Sequence, residues 1–385
     1  ALAYNVDLFD EVTAGRWSEQ FCMIMRSRDA TRSGDVVMPV SALCSSLARA
    51  GGSVSLKNAT TLPLQSGYQR SVCRVPCAVT LISDSESVCY YELRVRISTC
   101  AQLLLHTITG KRSTADWSIG LCLNKSVAML VGMLGVLVSG AAYIPLDPTY
   151  PAKRSVAISQ DASFGGLVIA ESSGTRYFVQ PSSSVIYKKA WWSSGGRSMS
   201  YMIYTSGSTG SPKGVVLEHT NVQYFVKATT LAHYPILVHA RAPLLVEIVF
   251  DAHVSLLYPL FATAGRLYVL PKLTMLQRMS EWVSESRVRC LDCTPSILST
   301  IRMSWMPFLR LLQLGGEQVS ASLLQSWSEI GACAFNNYGP TEATVGVIAG
   351  RYPIDLLHVG SLGRPHQGTR LTLSSEDGMY PNELS

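Results

Sequence analysis

Apolar positions alternate along the chain between short runs typical of buried strands and longer segments with helical spacing. From about residue 76 onwards the pattern predicts strands and helices in turn. They are a strand at Ala78–Ser83, a helix at Tyr91–Leu105, a strand at Ile119–Leu123, a helix at Val127–Val138 and a strand at Leu167–Ala170. Such alternation favours an α/β fold with largely parallel sheets.

The segment from Ser126 to Leu146 carries no charged residue and is long enough to span a bilayer. Its pattern favours a different structure. Ser126–Ser139 is apolar on all sides, as in a buried helix, and Gly140 ends it before a short strand at Ala141–Pro145. We therefore expect a buried helix followed by a core strand, and no membrane partner.

The chain before residue 76 has a different character. Residues 1–43 form a separate segment with one predicted helix through Trp17, Phe21 and Ile24. Residues 44–75 are predicted to be a linker, because Ser, Gly and Thr dominate up to about residue 70. Residues 181–198 are also rich in Ser, and we expect an exposed loop there.

Composition limits the function classes. Charged residues make up 15% of the 385, below the roughly 25% usual for soluble domains, so the surface is poor in charge or meets other domains. The net charge is +6, and no basic stretch interleaves with aromatics as a nucleic-acid surface requires. The ten cysteines are irregularly spaced, which predicts free, mostly buried thiols in a reducing cytoplasm.

The strongest chemical signal is a loop between Thr205 and Gly214 that follows an apolar strand. Its glycines let backbone N–H groups crowd around an anion, and its hydroxyls supply further donors. Lys213 adds a positive charge suited to phosphate. The loop is not a Walker motif, because Gly214 and a β-like Val-Val-Leu follow the lysine. The pattern predicts a phosphate-binding loop; the alternative is a flexible surface loop.

Asp251 interrupts the apolar run Val246–Leu260. A carboxylate in such surroundings is costly unless its charge is stabilised. A neighbouring helix N-terminus is one candidate partner, and a bound cationic group is another. His219 and His253 are interpreted as structural, because no Ser–His–Asp or Cys–His arrangement is suggested.

Five motifs in order resemble those of the adenylate-forming, AMP-binding superfamily, which includes acyl-CoA synthetases, luciferases and the adenylation domains of nonribosomal peptide synthetases. They are Tyr90–Leu93, Leu146–Pro151, Thr205–Gly214, Phe250–Ala252 with Leu314–Glu317, and Asn336–Glu342. Asp251 favours the peptide-synthetase branch, since acyl-CoA synthetases generally lack it. Residues 1–43 resemble the C-terminal tail of a condensation domain.

The resemblance implies an ATP site and an amino-acid pocket. The implied catalytic residues are Lys213, Thr341 and Glu342, with Glu342 holding Mg²⁺. The implied ATP-binding residues are Thr205, Ser206, Gly207, Ser208, Thr209, Gly210, Lys213, Gly315, Gly316, Glu317, Asn337, Tyr338 and Thr341. Asp251 would receive the substrate's α-ammonium group. The implied pocket residues are Asp251, Ala252, Ser255, Asp292, Gln313, Gly315, Asn337, Val345 and Gly346. This small and polar lining is compatible with a substrate whose side chain is polar or cationic.

The implied fold is α/β, the large N-terminal subdomain of the adenylate-forming fold. It comprises two stacked αβαβα-type sheets and a small β-barrel with its last part incomplete, all within residues 76–385. The small C-terminal subdomain and a ribose-binding Asp have no counterpart in the sequence, so the chain alone is expected to be inactive.

The implied function is ATP-dependent activation of an amino acid as aminoacyl-AMP, followed by thioester loading onto phosphopantetheine of a carrier domain. Carrier and condensation domains of the same synthetase are the implied partners, in the cytoplasm. Two alternatives remain at this point. One is a non-catalytic remnant or scaffold, and the other is an acyl- or aryl-CoA ligase of the same superfamily.

Overall fold

Four β-sheets and the helices between them make up the part of the chain that the computed structural model describes. The described residues are 66–108, 117–162, 166–171, 174–178, 198–206, 211–233, 236–270, 286–329, 331–352, 362–366, 369–373 and 382–384. The strands in chain order are β1 Val79–Ile82, β2 Ser87–Cys89, β3 Ser118–Cys122, β4 Ala142–Leu146, β5 Gly166–Glu171, β6 Gly174–Phe178, β7 Met199–Ser206, β8 Pro212–Glu218, β9 Arg241–Pro243, β10 Arg266–Tyr268, β11 Cys290–Cys293, β12 Leu311–Gly315, β13 Cys333–Tyr338, β14 Ile348–Arg351, β15 Arg364–Pro365, β16 Leu371–Leu373 and β17 Asn382–Leu384.

Helices separate most of the parallel strands. The α-helices in chain order are α1 Ser66–Arg74, α2 Tyr90–Ile108, α3 Val127–Val138, α4 Ala152–Ala162, α5 His219–His233, α6 His253–Ala262, α7 Pro295–Leu298 and α8 Ala321–Ser328. Two short 3₁₀ helices, Met303–Trp305 and Thr341–Ala343, lie in connections.

The largest sheet has six strands in the order β6-β5-β3-β4-β7-β8. Its four central strands are parallel, and antiparallel partners close both edges, with β6 on β5 and β8 on β7. Parallel strands buried on both faces form continuous apolar runs, and every residue of β4 is buried accordingly.

Two further sheets lie side by side. One has the order β2-β1-β10-β9 and the other β11-β12-β13-β14-β15. The backbone N–H of Arg289 donates to the carbonyl of Arg241 at 2.8 Å and links them. Strands β11, β12 and β13 are parallel, so Gly315 and Asn337 meet at the carboxyl ends of β12 and β13. Ligands of open α/β sheets bind outside such strand ends.

The uncharged segment forms a buried helix, α3, followed by the buried strand β4. Ser126 caps the helix by accepting a hydrogen bond from the backbone N–H of Met129 at 3.2 Å. Helix α2 packs closely against α3 at Gly135, where a Cβ would lie 2.5 Å from Sγ of Cys100. Among the described residues, none of the helices has both the length and the apolar character that crossing a membrane requires.

The predicted elements from residue 76 onwards are confirmed to within a few residues at their ends. Helix α1, Ser66–Arg74, falls inside the predicted linker 44–75, and its Tyr68 and Val72 are buried in the main core. Residues 1–43 and nearly all of the predicted loop 181–198 lie outside the described residues. The cysteines described are free, but only Cys100, Cys290, Cys293 and Cys333 are buried, fewer than expected.

Candidate functional site

A cavity of about 430 Å³ opens between helices α5 and α6 and the carboxyl ends of strands β11 to β13. Every residue assigned to the substrate pocket from the sequence lines this cavity. Those residues are Asp251, Ala252, Ser255, Asp292, Gln313, Gly315, Asn337, Val345 and Gly346. The structure therefore brings together side chains from segments nearly 100 residues apart.

Asp251 lies in the turn before α6 and presents an unsatisfied carboxylate oxygen. Its Oδ2 atom is buried and has no hydrogen-bond partner among the described residues. Burial raises the pKa of this carboxyl, against the opposing effect of the Thr341 hydroxyl and of nearby backbone N–H groups, including that of Val345. A buried carboxylate in this state gains from a cationic partner.

A histidine holds the turn that carries Asp251. Nδ1 of His253 donates to the carbonyl of Phe250 at 2.6 Å, and its Nε2 accepts from the hydroxyl of Tyr143 at 2.8 Å. Burial lowers the pKa of His253 to about 4, which keeps the ring neutral. Tyr143 in turn stacks on Tyr201, with 5.4 Å between ring centroids. His253 thus has the structural role expected of it, because both ring nitrogens bind groups of the chain itself.

The floor of the cavity contains a second carboxyl group, that of Asp292 on β11. It is 8% exposed, and burial raises its pKa to about 7. The hydroxyl of Ser255 on α6 makes a very short hydrogen bond with Oδ2 of Asp292, and this bond lowers that pKa in part when Ser255 is the donor. The two residues connect the helix that follows Asp251 to the sheet.

Gln313 lies beside Asp292 because the two residues pair in register on neighbouring strands. Its side-chain amide nitrogen lies 2.8 Å from Nε2 of His233, the last residue of α5. Burial lowers the pKa of His233 to about 3, so its ring is neutral and can accept this hydrogen bond. The contact fixes the direction of the Gln313 amide.

The predicted phosphate-binding residues lie at another edge of the site. Thr205 and Lys213 face each other across β7 and β8, and Lys213 is exposed. Residues 207–210, which include the predicted Gly207, Ser208, Thr209 and Gly210, lie outside the described residues. The 3₁₀ helix Thr341–Ala343, with the exposed carboxylate of Glu342, packs against β8. The structure therefore brings Lys213 and Glu342 onto neighbouring elements.

The predicted ATP-binding residues outside the phosphate loop differ in their surroundings. Tyr338 ends β13 with half of its side chain exposed, and Gly316 has a positive φ of 78°. Gly315 approaches the backbone of Asn337 so closely that a Cβ would lie 2.9 Å from its carbonyl oxygen. The carboxylate of Glu317 accepts hydrogen bonds from the backbone and hydroxyl of Ser296, so the chain itself already binds it.

The turn after Glu342 is strained. Thr344 and Val345 both have a φ of 67°, in the left-handed region that β-branched residues rarely occupy. The turn brings the Gly346 backbone against Gly339, where a Cβ would lie 2.5 Å from the Gly346 Cα. Such strain persists where surrounding structure enforces it, often at a functional site.

Sequence reasoning missed the contribution of helix α5. Phe225 and Thr229 line the cavity, and His233 supports Gln313. These three residues are four apart and share one face of the helix, a spacing that the sequence displays. It also missed Lys125, a buried lysine that forms an ion pair with Glu247 at the cavity wall.

Comparison with known proteins identifies one family. The sequence profile of the family described as "AMP-binding enzyme" matches residues 68–383. Malpinin synthetase of Mortierella alpina is 29% identical over 343 residues, which cover 83% of this chain and 4% of that protein. The chain therefore spans a small part of this relative.

Two solved structures have the same fold. The nonribosomal peptide synthetase FmoA3 with AMPPNP bound superposes with a TM-score of 0.68 at 20% identity, over 81% of this chain and 35% of that one. The inhibitor-bound N-terminal domain of FACL13 from Mycobacterium tuberculosis gives a TM-score of 0.68 at 18% identity, over 82% of this chain and 85% of that domain.

The profile match covers most of the chain, and the described sheets reproduce the mixed α/β fold of an adenylate-forming N-terminal subdomain. The curated relatives of this chain include a nonribosomal peptide synthetase of Aspergillus fumigatus. The chain belongs to the AMP-binding enzyme family.

Proposed function

We propose that this chain activates the carboxylate of an α-amino acid with ATP, forming an aminoacyl adenylate within a nonribosomal peptide synthetase. The observation that carries the proposal is the buried Oδ2 atom of Asp251, which has no hydrogen-bond partner among the described residues and lies at the wall of a 430 Å³ cavity. An α-ammonium group supplies the missing cationic partner, whereas a fatty or aryl acid offers none.

In the proposed reaction, a carboxylate oxygen of the amino acid attacks the α-phosphorus of ATP. The bond from that phosphorus to the bridging oxygen breaks, and pyrophosphate leaves. Asp251 orients the substrate through its ammonium group, and Thr341 lies close enough to influence the Asp251 carboxyl. Holding both reactants in line supplies much of the rate enhancement.

The phosphates are proposed to bind along Thr205–Lys213. Lys213 is exposed at the end of this segment and adds a positive charge that stabilises the departing pyrophosphate. Glu342 fits Mg²⁺, because its exposed carboxylate stands on an element packed against the strand of Lys213. The ion would neutralise phosphate charge there. Tyr338, Gly315 and Gly316 are proposed to accommodate the adenine ring.

The second half of the proposed function involves partners. The thiol of a carrier domain's phosphopantetheine attacks the acyl adenylate, forming a thioester and releasing AMP. Carrier and condensation domains of the same synthetase are the proposed neighbours. This chain covers 10% of surfactin synthase subunit 2 of Bacillus subtilis, which is 27% identical over 376 residues, so that relative has ample length for further domains.

The test is ATP–pyrophosphate exchange driven by a panel of α-amino acids, their des-amino analogues, fatty acids and aryl acids, measured on a protein that joins this chain to the small C-terminal subdomain of its family. We expect exchange with at least one amino acid and none with the other acids. Exchange driven by fatty or aryl acids would overturn the proposal in favour of a CoA ligase. ATP binding without exchange for any acid would favour a non-catalytic scaffold.

A further inference from the structure

The two hydrogen bonds of Ser255 suit a protonated Asp292 at the floor of the cavity. Its hydroxyl has one hydrogen but two close acceptors, the carbonyl of Ala252 at 2.6 Å and Oδ2 of Asp292. Both contacts can be made at once when Asp292 itself carries a proton. Oδ2 of Asp292 then donates to Oγ of Ser255, and Ser255 donates to Ala252.

The electrostatic surroundings agree with an Asp292 that is neutral below about pH 7. Burial raises its pKa to about 7. The described residues that line the cavity include four acidic side chains and no lysine, arginine or histidine. When Oδ2 of Asp292 carries the proton that bonds to Ser255, Oδ1 is a carbonyl-like acceptor for a ligand.

Gln313 offers a second acceptor beside the first. It pairs in register with Asp292 on the neighbouring strand, and both line the cavity. Because its amide nitrogen is bound to the neutral ring of His233 at 2.8 Å, its carbonyl oxygen is the group left to accept a hydrogen bond. Two adjacent acceptors suit a ligand group with two N–H bonds.

A hydroxyl completes this set. Thr229 lies one helical turn before His233, lines the cavity and is 2% exposed. Its Oγ1 atom is buried with no hydrogen-bond partner among the described residues. An unpartnered buried hydroxyl gains free energy from a ligand that supplies an acceptor.

We propose that the amino acid bound in this cavity ends in a carboxamide. The amide N–H bonds donate to Asp292 and Gln313, and the amide carbonyl accepts from Thr229. A side-chain carboxylate is excluded, because the described residues that line the cavity would offer it acidic groups and no cation. The inference rests on the proposed function, which makes this cavity the amino-acid pocket.

The first experiment compares near-isosteric ligands by calorimetry on the full chain in the presence of AMP. The probes are glutamine, asparagine, glutamate, ornithine and norleucine. We expect glutamine or asparagine to bind at least about tenfold more tightly than the acid, the amine and the hydrocarbon. Tightest binding by ornithine, norleucine or glutamate would overturn the inference.

Variants of Asp292 separate an amide from an ammonium ligand. Asp292→Asn keeps a donor for Ser255 and an acceptor for the ligand, so carboxamide binding should change less than about threefold. Asp292→Leu removes both groups and should weaken it about tenfold or more. Equal losses in the Asn and Leu variants would show that the carboxylate charge binds the ligand, which contradicts a carboxamide.

Thr229→Val tests the hydroxyl with almost no change of shape. It should weaken carboxamide binding about fivefold and leave norleucine binding unchanged. Thr230→Val is the matched control, because Thr230 is equally buried on the same helix but its hydroxyl donates to the carbonyl of Val226 at 2.7 Å. Identical effects of the two variants would remove Thr229 from the ligand site.

Different results would contradict the proposed function and the inference about the substrate's side chain. If no amino acid binds and none drives exchange, the proposed function itself is wrong. If amino acids bind but carboxamides hold no advantage, only the inference about the side chain is wrong.

Discussion

The side-chain nitrogen of Lys125 lies 3.0 Å from a carboxylate oxygen of Glu247, and the Lys125 side chain is only 3% exposed. The same nitrogen donates to the carbonyls of Leu244 and Leu245, each at 3.1 Å. Lys125, placed just before helix α3, thereby anchors the segment that leads to the turn of Asp251. The ammonium group of Lys125 therefore binds three acceptors, the Glu247 carboxylate and the two backbone carbonyls.

Lys125→Met should lower the free energy of unfolding by about 1.5–3 kcal/mol, because the buried carbonyls of Leu244 and Leu245 lose a charged donor, whereas Glu247 is itself 32% exposed. Urea denaturation measures it. Arg96→Met provides the control, because Arg96 is about one-third exposed and bridges Glu86 at 2.7 Å at the surface. Exposed pairs contribute at most about 1 kcal/mol. Equal costs for the two variants would contradict the anchoring role.

Asp251→Asn should weaken α-amino acid binding by about 10- to 100-fold, because the ammonium group loses a charged acceptor. The same variant should bind the corresponding des-amino acid as tightly as the unaltered chain does, or more tightly. Calorimetry with both ligands gives the comparison. An equal loss of affinity for the amino acid and for its des-amino analogue would show that Asp251 has a structural role.

Amino-acid binding to the unaltered chain should also weaken as pH falls. Burial raises the pKa of Asp251, so its carboxyl takes up a proton at a higher pH than an exposed aspartate does. The protonated form lacks the charge that attracts the ammonium group. Dissociation constants measured between pH 5 and pH 8 test this, and the Asp251→Asn variant should show no such dependence.

In a protein that joins this chain to the small C-terminal subdomain of its family, Lys213→Ala should reduce ATP–pyrophosphate exchange by about 10²–10³-fold, the typical effect of removing one group that stabilises transition-state charge. Lys153→Ala is the control, because Lys153 is an equally exposed lysine on α4, outside the site. Exchange rates that match in the two variants would exclude Lys213 from the reaction.

Much of the fold followed from the sequence, because its strongest patterns are local. Helix α3 was predicted at Val127–Val138 and is observed there, since an uncharged run between a Ser cap and a Gly has few other stable structures. Helix α1 was missed. Only two apolar residues, Tyr68 and Val72, bury it in the core, and Ser-rich surroundings hide them.

The residues that line the cavity were predictable as a set, but their hydrogen bonds were not. The motifs placed Asp292, Gln313 and Ser255 in one pocket. The contact of His233 with Gln313 depends on the meeting of α5 with β12, which no local pattern reveals. The same holds for the bond between Ser255 and Asp292, and hence for the pKa of Asp292.

That raised pKa has a consequence for stability. Asp292 has a pKa of about 7 in the folded chain against 3.8 for an unperturbed aspartate. Between about pH 4 and pH 7 the folded state therefore holds a proton that the unfolded state has lost, so this residue makes stability fall as pH rises through that window. Above about pH 8 both states are ionised and the effect levels off.

Asp292→Asn should remove this pH dependence. Relative to the unaltered chain, the variant should gain stability between pH 4.5 and pH 8 by up to about 4 kcal/mol, since each unit of pKa corresponds to about 1.4 kcal/mol. Urea unfolding of both proteins at each pH isolates the effect, because all other titrations cancel in the difference. Asp84→Asn is the control, as Asp84 is exposed. A difference for Asp292→Asn that stays constant with pH would mean that Asp292 is ionised in the folded chain near pH 5, and Ser255 would then have to bind a carboxylate.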